Sequence, residues 1–456
     1  MSSSSIAVFD LGKTNSKLFV LSMTGEVIDE TRIRPIWRQE GDLRVLDDAA
    51  LFSWMKAELA RMVAAHGVDR VTWSGHGCTF ALVAGDRLIH PILDYEQEPP
   101  EGIAARIDAM APDYGETFSP PLPLGFNFAR HMLWLNERDP QLLEKAEAIL
   151  CYPQFWGWKF SDRAVSEVSY LGCHSHLWAP LRDDFSSLVD RMGWRGKMPE
   201  FVRAGSPVGT HTVALEDGRT AEVAVHNGVH DSNAALYFYR SLGFTDFTLV
   251  STGTWVVIFN PACPLDLLNS ARDMLANVTV DHQPVPTIRF MGGREYDVAS
   301  GGWAKPVSAE AVASVIAKKA FALPAFAAGG PVPGHTGHFT GPAVENEERA
   351  AVALLYVALM TDLSLDLIDS RNTIVIDGGL VKTGLYASVL AALRPGQSVY
   401  TSANPEGSAF GAAALVFDAI GRNPFVNDCA VATPALVPGL ENYRQEWRRQ
   451  VEALSI

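Results

Sequence analysis

At 456 residues, 48% of them hydrophobic and 20% charged, the chain has an ordinary globular composition but exceeds one comfortable hydrophobic core, so two domains are expected. Its 52 acidic residues against 37 basic ones leave a formal net charge of -15, a surface that repels nucleic acid and anionic membrane and excludes both as default partners. Five scattered cysteines (Cys78, Cys151, Cys173, Cys263, Cys429), odd in number and never spaced as CxxC, argue against disulfide or zinc architecture and fit a reducing cytoplasm.

The start, Met1-Ser-Ser-Ser-Ser5, has no basic segment, and Asp10 interrupts the apolar stretch behind it, so no signal peptide is expected. A β-branched and aromatic strand runs from Ile6 to Phe9, turns, and is followed by a second strand around Lys17 to Leu21. Apolar residues then return every three or four positions at Leu51, Phe52, Met55, Leu59, Met62 and Val63, the spacing of a helix. A short strand at Arg70 to Trp73 and a helix from Phe128 through Leu135 follow. Ala221 to Val225 reads as part of a hairpin ahead of Asn227-Gly228, and a small-residue helix opens near Ser232. The pattern restarts near residues 240–246: strand Phe247 to Val250, turn Ser251-Thr-Gly-Thr254, strand Trp255 to Phe259. Two hairpins of one design, each opening one half, suggest paired lobes, divided as residues 1–243 and 244–456. Arg349 to Leu367 is a long helical pattern whose apolar run, Ala350 to Met360, reads as far too short to span a bilayer. The strand Ile374-Val-Ile376 then ends in Asp377-Gly378-Gly379.

Several of these junctions carry residues suited to polyphosphate chemistry. In Asp10-Leu-Gly-Lys-Thr-Asn-Ser-Lys17, Gly12 lets backbone approach a ligand and Thr14, Asn15 and Ser16 add donors. Lys13 and Lys17 could neutralise phosphate charge, and Asp10 suits a magnesium ion held through water. A polar β-turn with solvated lysines is an equal competitor for that segment alone; GxxxxGK[ST] is absent, so it is not a P-loop. Ser251 to Thr254 is a second candidate phosphate loop, and Gly378-Gly379 could let an adenine or ribose lie against backbone; plain turns compete with both. Gly407 to Ala414 reads as a helix packed closely through small residues. Asp231, after Gly228-Val229-His230, faces a helix N-terminus, where a carboxylate is stabilised; an ordinary helix cap is the bland alternative.

Taken in order, these segments resemble the FGGY carbohydrate kinase family. Asp10 to Lys17 is similar to its Asp-x-Gly-Thr-Thr-x-x-Lys phosphate motif, Gly228 to Asp231 to its Gly-x-x-Asp motif, and Ser251 to Thr254 to its second phosphate motif. Asp377 to Gly379 resembles its adenosine motif, and Glu406 to Ala413 its late Glu-x-x-Ala-x-Gly-Ala-Ala helix, with Asn404 just ahead. His131-Met-Leu-Trp-Leu135 is like its Lys-Leu-x-Trp-Leu helix. Val165 to Trp178 resembles the rhamnulokinase and fuculokinase kind; its His174 and His176 read as a hairpin or loop near the sugar, not a metal site. Lys13 and His131 depart from the motif residues Thr and Lys. Cys78, where pentulokinases often carry a His, argues against plain xylulose. The second family signature, expected near Gly337 to Tyr356, is barely recognisable.

The resemblance implies an α/β fold of two actin-like ATPase (ribonuclease H-like) lobes with a nucleotide and sugar cleft between them. It implies a cytoplasmic enzyme using ATP and Mg²⁺ to phosphorylate a small sugar, first of all a ketose such as L-rhamnulose or L-fuculose, and it leaves room for a homodimer. Asp231 would be the general base and, with Asp10, would help place Mg²⁺ through water. Gly12, Lys13, Thr14, Asn15 and Lys17 from one lobe and Thr252, Gly253 and Thr254 from the other would hold phosphates. Gly378, Gly379 and Asn404 would border adenosine, and His76, Asp94, Glu96, His230 and Asp231 would meet the sugar. An actin-like or chaperone-like ATPase working by conformational change, or a catalytically silent sugar-binding regulator, are the alternatives.

Overall fold

The computed structural model describes residues 4–380, 385–402 and 406–454. Contacts divide the chain into two units. One comprises Met1–Gly243, Ala276–Pro284 and Gly407–Val426, the other Phe244–Leu275, Val285–Glu406 and Asn427–Ile456. The units therefore differ from a single cut after residue 243 in two later segments, which pack with the first unit.

In the first unit the strand Ser5–Leu11 is buried on both faces, as its unbroken apolar run Ile6 to Phe9 requires. It pairs antiparallel with Ser16–Ser22 from Ser5 opposite Ser22 to Leu11 opposite Ser16, leaving residues 12–15 as the connection. On its other side lies Val68–Gly75, in parallel. The sheet order is Pro207–Ala214, Thr220–His226, Val68–Gly75, Ser5–Leu11, Ser16–Ser22, Val27–Ile33, and the two-residue strand Val229–His230 also pairs with Val68–Gly75. Helix Asp48–His66 has Asp47 as its cap, whose carboxylate accepts the Ala50 N–H at 3.0 Å, and it stops at Gly67 with φ +65°. Its buried residues, Leu51, Met55, Leu59, Met62 and Val63, repeat the spacing seen in the sequence. An aromatic core fills the space behind the sheet, with Phe9 stacked on Trp73 at 6.1 Å and edge-on to Trp54 at 5.7 Å.

Helices Asp231–Ser241 and Gly407–Ala419 meet backbone to backbone. A Cβ on Gly411 would lie 1.8 Å from the Ala234 carbonyl oxygen, so no larger residue fits at 411. That contact explains the small-residue pattern Gly407 to Ala414 as packing.

The second unit repeats the design of the first. Strand Phe247–Thr252 forms a hairpin with Val256–Phe259 on one side and runs parallel to Thr373–Gly378 on the other; Val399–Thr401 continues the parallel set. Helix Asn346–Leu367 is 22 residues long and extends beyond its apolar run at both ends. With a mean hydropathy of 1.7 it is long and apolar enough to cross a membrane, but 83% of its apolar window is buried inside the structure. The apolar run gives way at Thr361-Asp362, yet the Asp362 carboxylate is itself buried, held by Arg444 and Arg448 of helix Leu440–Leu454 and by Arg394.

Candidate functional site

In the first unit three adjacent strands end side by side. Asp10 is level with Ser74, Leu11 with Gly75, and Gly75 with His230, so Asp10, His76 and Asp231 all issue from the carboxyl ends of neighbouring parallel strands. Ligands of open α/β sheets bind at such ends, where the backbone of each strand stops and loops begin.

Asp231 is the first residue of helix Asp231–Ser241, as expected from its junction with Ser232. Its Oδ1 accepts the Ser232 N–H at 2.5 Å and the Ser232 hydroxyl at 3.1 Å. A third of the side chain stays open, but burial of the group raises its carboxyl to about 6 against the opposing effect of the Ser232 bonds. His230 Nε2 stands 3.2 Å from Oδ1. The Asn233 Nδ2 group reaches both the Ser169 carbonyl at 3.3 Å and His230 Nδ1 at 2.9 Å. A carbonyl only accepts, so Nδ2 is the donor here, His230 Nδ1 accepts, and the ring proton sits on Nε2, towards Asp231. Burial drops the His230 pKa to about 3, so that ring is neutral and offers Asp231 a dipole, not a charge.

His76 is buried, and neither of its ring nitrogens has a hydrogen-bond partner among the described residues. It lies between Tyr152, stacked at 4.8 Å, and Tyr95 at 4.9 Å. Burial foremost, then the positive charge of Lys13, lower its pKa to about 3. Its turn is fastened by Tyr170, whose hydroxyl lies 2.7 Å from both the His76 and Thr79 carbonyls and accepts the Thr79 N–H at 3.0 Å. Tyr170 is in turn set by the buried Glu167 carboxyl, which accepts the Ser169 and Tyr170 N–H groups at 3.0 Å each. Gly77 is obligatory: a Cβ there would fall 2.5 Å from Cys173 Sγ and 2.6 Å from His230 Nε2.

The loop after the first strand behaves differently from expectation at one residue. Gly12 closes a tight turn, since a Cβ there would sit 2.7 Å from the Asn15 carbonyl oxygen, and Thr14 and Asn15 are exposed. Lys17 lies opposite Asp10 in the hairpin. Lys13, however, does not point a spare charge outward. Its ammonium is 2.6 Å from Asp94 Oδ1 and 2.6 Å from Glu96 Oε2. Asp94 and Glu96, expected at the sugar, are thus joined to a residue expected at phosphate.

In the second unit Thr252 and Gly378 are level in adjacent parallel strands. The Thr252 hydroxyl donates to the Asp377 carbonyl at 2.6 Å and accepts the Leu380 N–H at 3.1 Å, so it knits two loops together. Gly378 has φ +92°, and a Cβ on it would lie 1.9 Å from the Thr252 carbonyl oxygen. Gly253 and Thr254 form the rim of a cavity of about 560 Å³, which Gly293, Arg294, Trp303, Lys305, Gly379 and Leu380 also line. A Cβ on Gly293 would meet the Gly253 carbonyl oxygen at 2.1 Å, so helix Gly292–Ser300 starts directly against the loop. Asn404 lies outside the described residues.

Sequence reading missed Tyr95, Tyr152, Tyr170, Glu167 and Asn233 in the first unit, and Gly293, Arg294, Trp303 and Lys305 in the second. The doubled glycine at Gly292-Gly293, directly after an apolar strand, is the one local signal that pointed to the second set. His174 and His176 bond to the carbonyls of Phe126 and Ser119, at 2.7 and 3.1 Å, and brace the 119–127 loop. Among the described residues no three His, Cys, Asp or Glu side chains converge on a common point. The hard oxygen donors at the strand ends are Asp10 and Asp231, which fits Mg²⁺, an ion that keeps much of its water and takes one or two carboxylates together with ligand phosphates.

The family model for the carbohydrate kinase FGGY C-terminal domain matches residues 244–424. An L-fuculokinase from Salmonella typhi is 23% identical over 267 residues, 56% of this chain and 56% of that protein, so the match spans about half the length of this curated relative. Among solved structures, a carbohydrate kinase from Novosphingobium aromaticivorans is 34% identical over 100% of both chains, with a TM-score of 0.87. A ligand-bound xylulose kinase from Lactobacillus acidophilus shares the fold, with a TM-score of 0.79 at 12% identity over 99% of this chain and 96% of its own.

Proposed function

We propose that this chain, which belongs to the FGGY carbohydrate kinase family, transfers the γ-phosphoryl group of ATP to a hydroxyl of a small sugar. A ketose such as L-fuculose or L-rhamnulose is the first candidate, supported by the fuculokinase relative. Cytoplasmic work suits the five cysteines, odd in number and never spaced as CxxC.

The observation that carries the proposal is the environment of Asp231. Its raised carboxyl, beside a neutral His230 N–H and at the ends of three parallel strands, is placed to accept a proton. In the reaction the sugar oxygen attacks the γ-phosphorus, the bond from that phosphorus to the β-bridging oxygen breaks, and the hydroxyl proton passes to Asp231. Raising the carboxyl from 3.8 towards 6 makes it a better base without leaving it protonated at neutral pH. Asp10 and Asp231 would hold Mg²⁺ through water, and the ion would supply charge neutralisation on the phosphates. Gly12, Thr14, Asn15 and Lys17 would hold phosphates on the first unit. Gly253 and Thr254 would do so on the second, with Gly378 and Gly379 bordering adenosine. Thr252 would act through the loop it ties, its hydroxyl being already engaged.

Wild-type protein screened with ketoses, aldoses and polyols should release ADP only when an accepted sugar is present. Release at one rate whatever is added would point instead to an ATPase driven by conformational change. Gly378→Ala should cost roughly 2 kcal/mol or more in urea denaturation, because φ +92° and a carbonyl 1.9 Å from the added carbon both oppose it. It should also abolish calorimetric binding of ADP; unchanged ADP affinity would remove Gly378 from the nucleotide side.

A further inference from the structure

Resting on the kinase reading above, we infer that Lys13 is a positioning residue of the acceptor sugar and not a ligand of the nucleotide phosphates, and that the sugar it serves is uncharged. The Lys13 side chain is only 14% exposed and is held from every direction. Its ammonium lies 2.6 Å from Asp94 Oδ1 and 2.6 Å from Glu96 Oε2, 4.7 Å above the Tyr95 ring and 5.6 Å from that of Trp37. Its carbonyl accepts the Trp37 indole N–H at 3.3 Å. Swinging the ammonium to a phosphate would strip from Asp94, whose side chain is fully buried, the nearer of its two cationic partners and leave it only Arg44, 3.2 Å from its other oxygen.

The same contacts connect Lys13 to the groups a sugar would meet. Tyr95 packs on His76, and its hydroxyl is pushed up by burial and by the nearby Cys78, Glu96, Asp231 and Asp94. Lys13 contributes to keeping His76 neutral, and the two buried nitrogens of that ring, without partners among the described residues, can donate to one hydroxyl and accept from another. Lys13 therefore spans the first phosphate loop and the Asp94 to Glu96 loop. It holds two carboxylates a few ångströms apart that would otherwise repel.

Its charge is consumed in doing so. Lys13 and Arg44, the latter 3.2 Å from Asp94 Oδ2, balance Asp94 and Glu96. Both cations of this cluster, Lys13 and Arg44, are thus already held by carboxylates and unavailable to the carboxylate of a sugar acid, whereas hydroxyls find carboxylate acceptors and the His76 ring.

The test compares wild type, Lys13→Met and Lys13→Arg, with steady-state kinetics and calorimetry on L-fuculose, L-rhamnulose, D-xylulose, glycerol and D-gluconate, and on Mg²⁺–ADP as the nucleotide probe. Lys13→Met should raise KM for the accepted sugar about tenfold or more, the effect of losing a buried charge partner, and change kcat and ADP affinity far less. Lys13→Arg should recover most of the loss, which a merely structural defect would not predict, and D-gluconate should not bind. Loss of ADP affinity with an unchanged sugar KM, or preferential binding of D-gluconate, would overturn the inference. Wild type that turns over a sugar, paired with a Lys13→Met variant of unaltered sugar KM, overturns it alone. Wild type that binds no carbohydrate overturns the kinase reading as well.

Discussion

Asp231→Asn is expected to lower kcat by about 10² to 10⁴-fold, the contribution of a positioned general base, while Mg²⁺–ADP binds as before. Asparagine keeps the shape but cannot accept the proton, and the Ser232 N–H and His230 N–H would still have an oxygen to face. The raised carboxyl adds two further checks. Only the ionised form is a base, so kcat/KM of the wild type should fall as pH drops through about 6, and that limb should vanish in the variant. Stability should move oppositely. The folded state holds a proton between pH 3.8 and about 6 that the unfolded chain has lost, so the cost of the buried charge is absent below 3.8 and complete above 6. Asp231→Asn should therefore be no less stable than wild type at pH 7 and resist urea somewhat better. A variant that unfolds more readily, with kcat unchanged, would make Asp231 an ordinary helix residue.

Asp362→Ala is expected to cost about 3–5 kcal/mol of stability, the penalty for breaking a buried ion pair on one side. Asp362 is fully buried in helix Asn346–Leu367, and its oxygens take Arg444 at 2.8 and 2.9 Å and Arg448 at 2.5 Å. Arg394 lies 3.5 Å away and is itself only 6% exposed. Removing the carboxylate leaves three guanidinium groups to Asp366, with the more exposed Glu441 3.5 Å from Arg444 alone. Burial opposes ionisation of Asp366, but Arg394, Arg448 and Arg444 outweigh it and hold its pKa below 3.8. Its contribution is thus present above pH 3.8 and is lost as pH falls further. The urea midpoint should drop at constant slope; a loss under about 1 kcal/mol would mean that water reaches the arginines and the network is effectively a surface one.

What could be read from the sequence was whatever is local. The two Gly/Thr hairpins, the apolar spacing of residues 51–63 and the Gly228 to Asp231 junction each lie within one turn or one helix, where period and turn chemistry decide structure. Strand Pro207–Ala214 went unread because it is an exposed edge with a proline, a glycine and no apolar run. Residues 276–284 and 407–426 join the first unit through tertiary packing, such as Gly411 on Ala234, which no local pattern encodes. Asp362 looked like the end of an apolar run because its arginine partners stand 82 and 86 residues away. The ion pair of Lys13 was illegible for the same reason: its chain neighbours resemble a phosphate loop, while its partner Asp94 lies 81 residues on.

The most direct measurement follows the γ-phosphoryl group itself. Wild type and Asp231→Asn are incubated with ATP labelled at the γ-position, Mg²⁺ and each of the sugars in turn. Label should enter a sugar phosphate with wild type only when an accepted sugar is supplied, and scarcely at all with the variant. Label found solely in inorganic phosphate, in equal amount with and without sugar, would contradict the account.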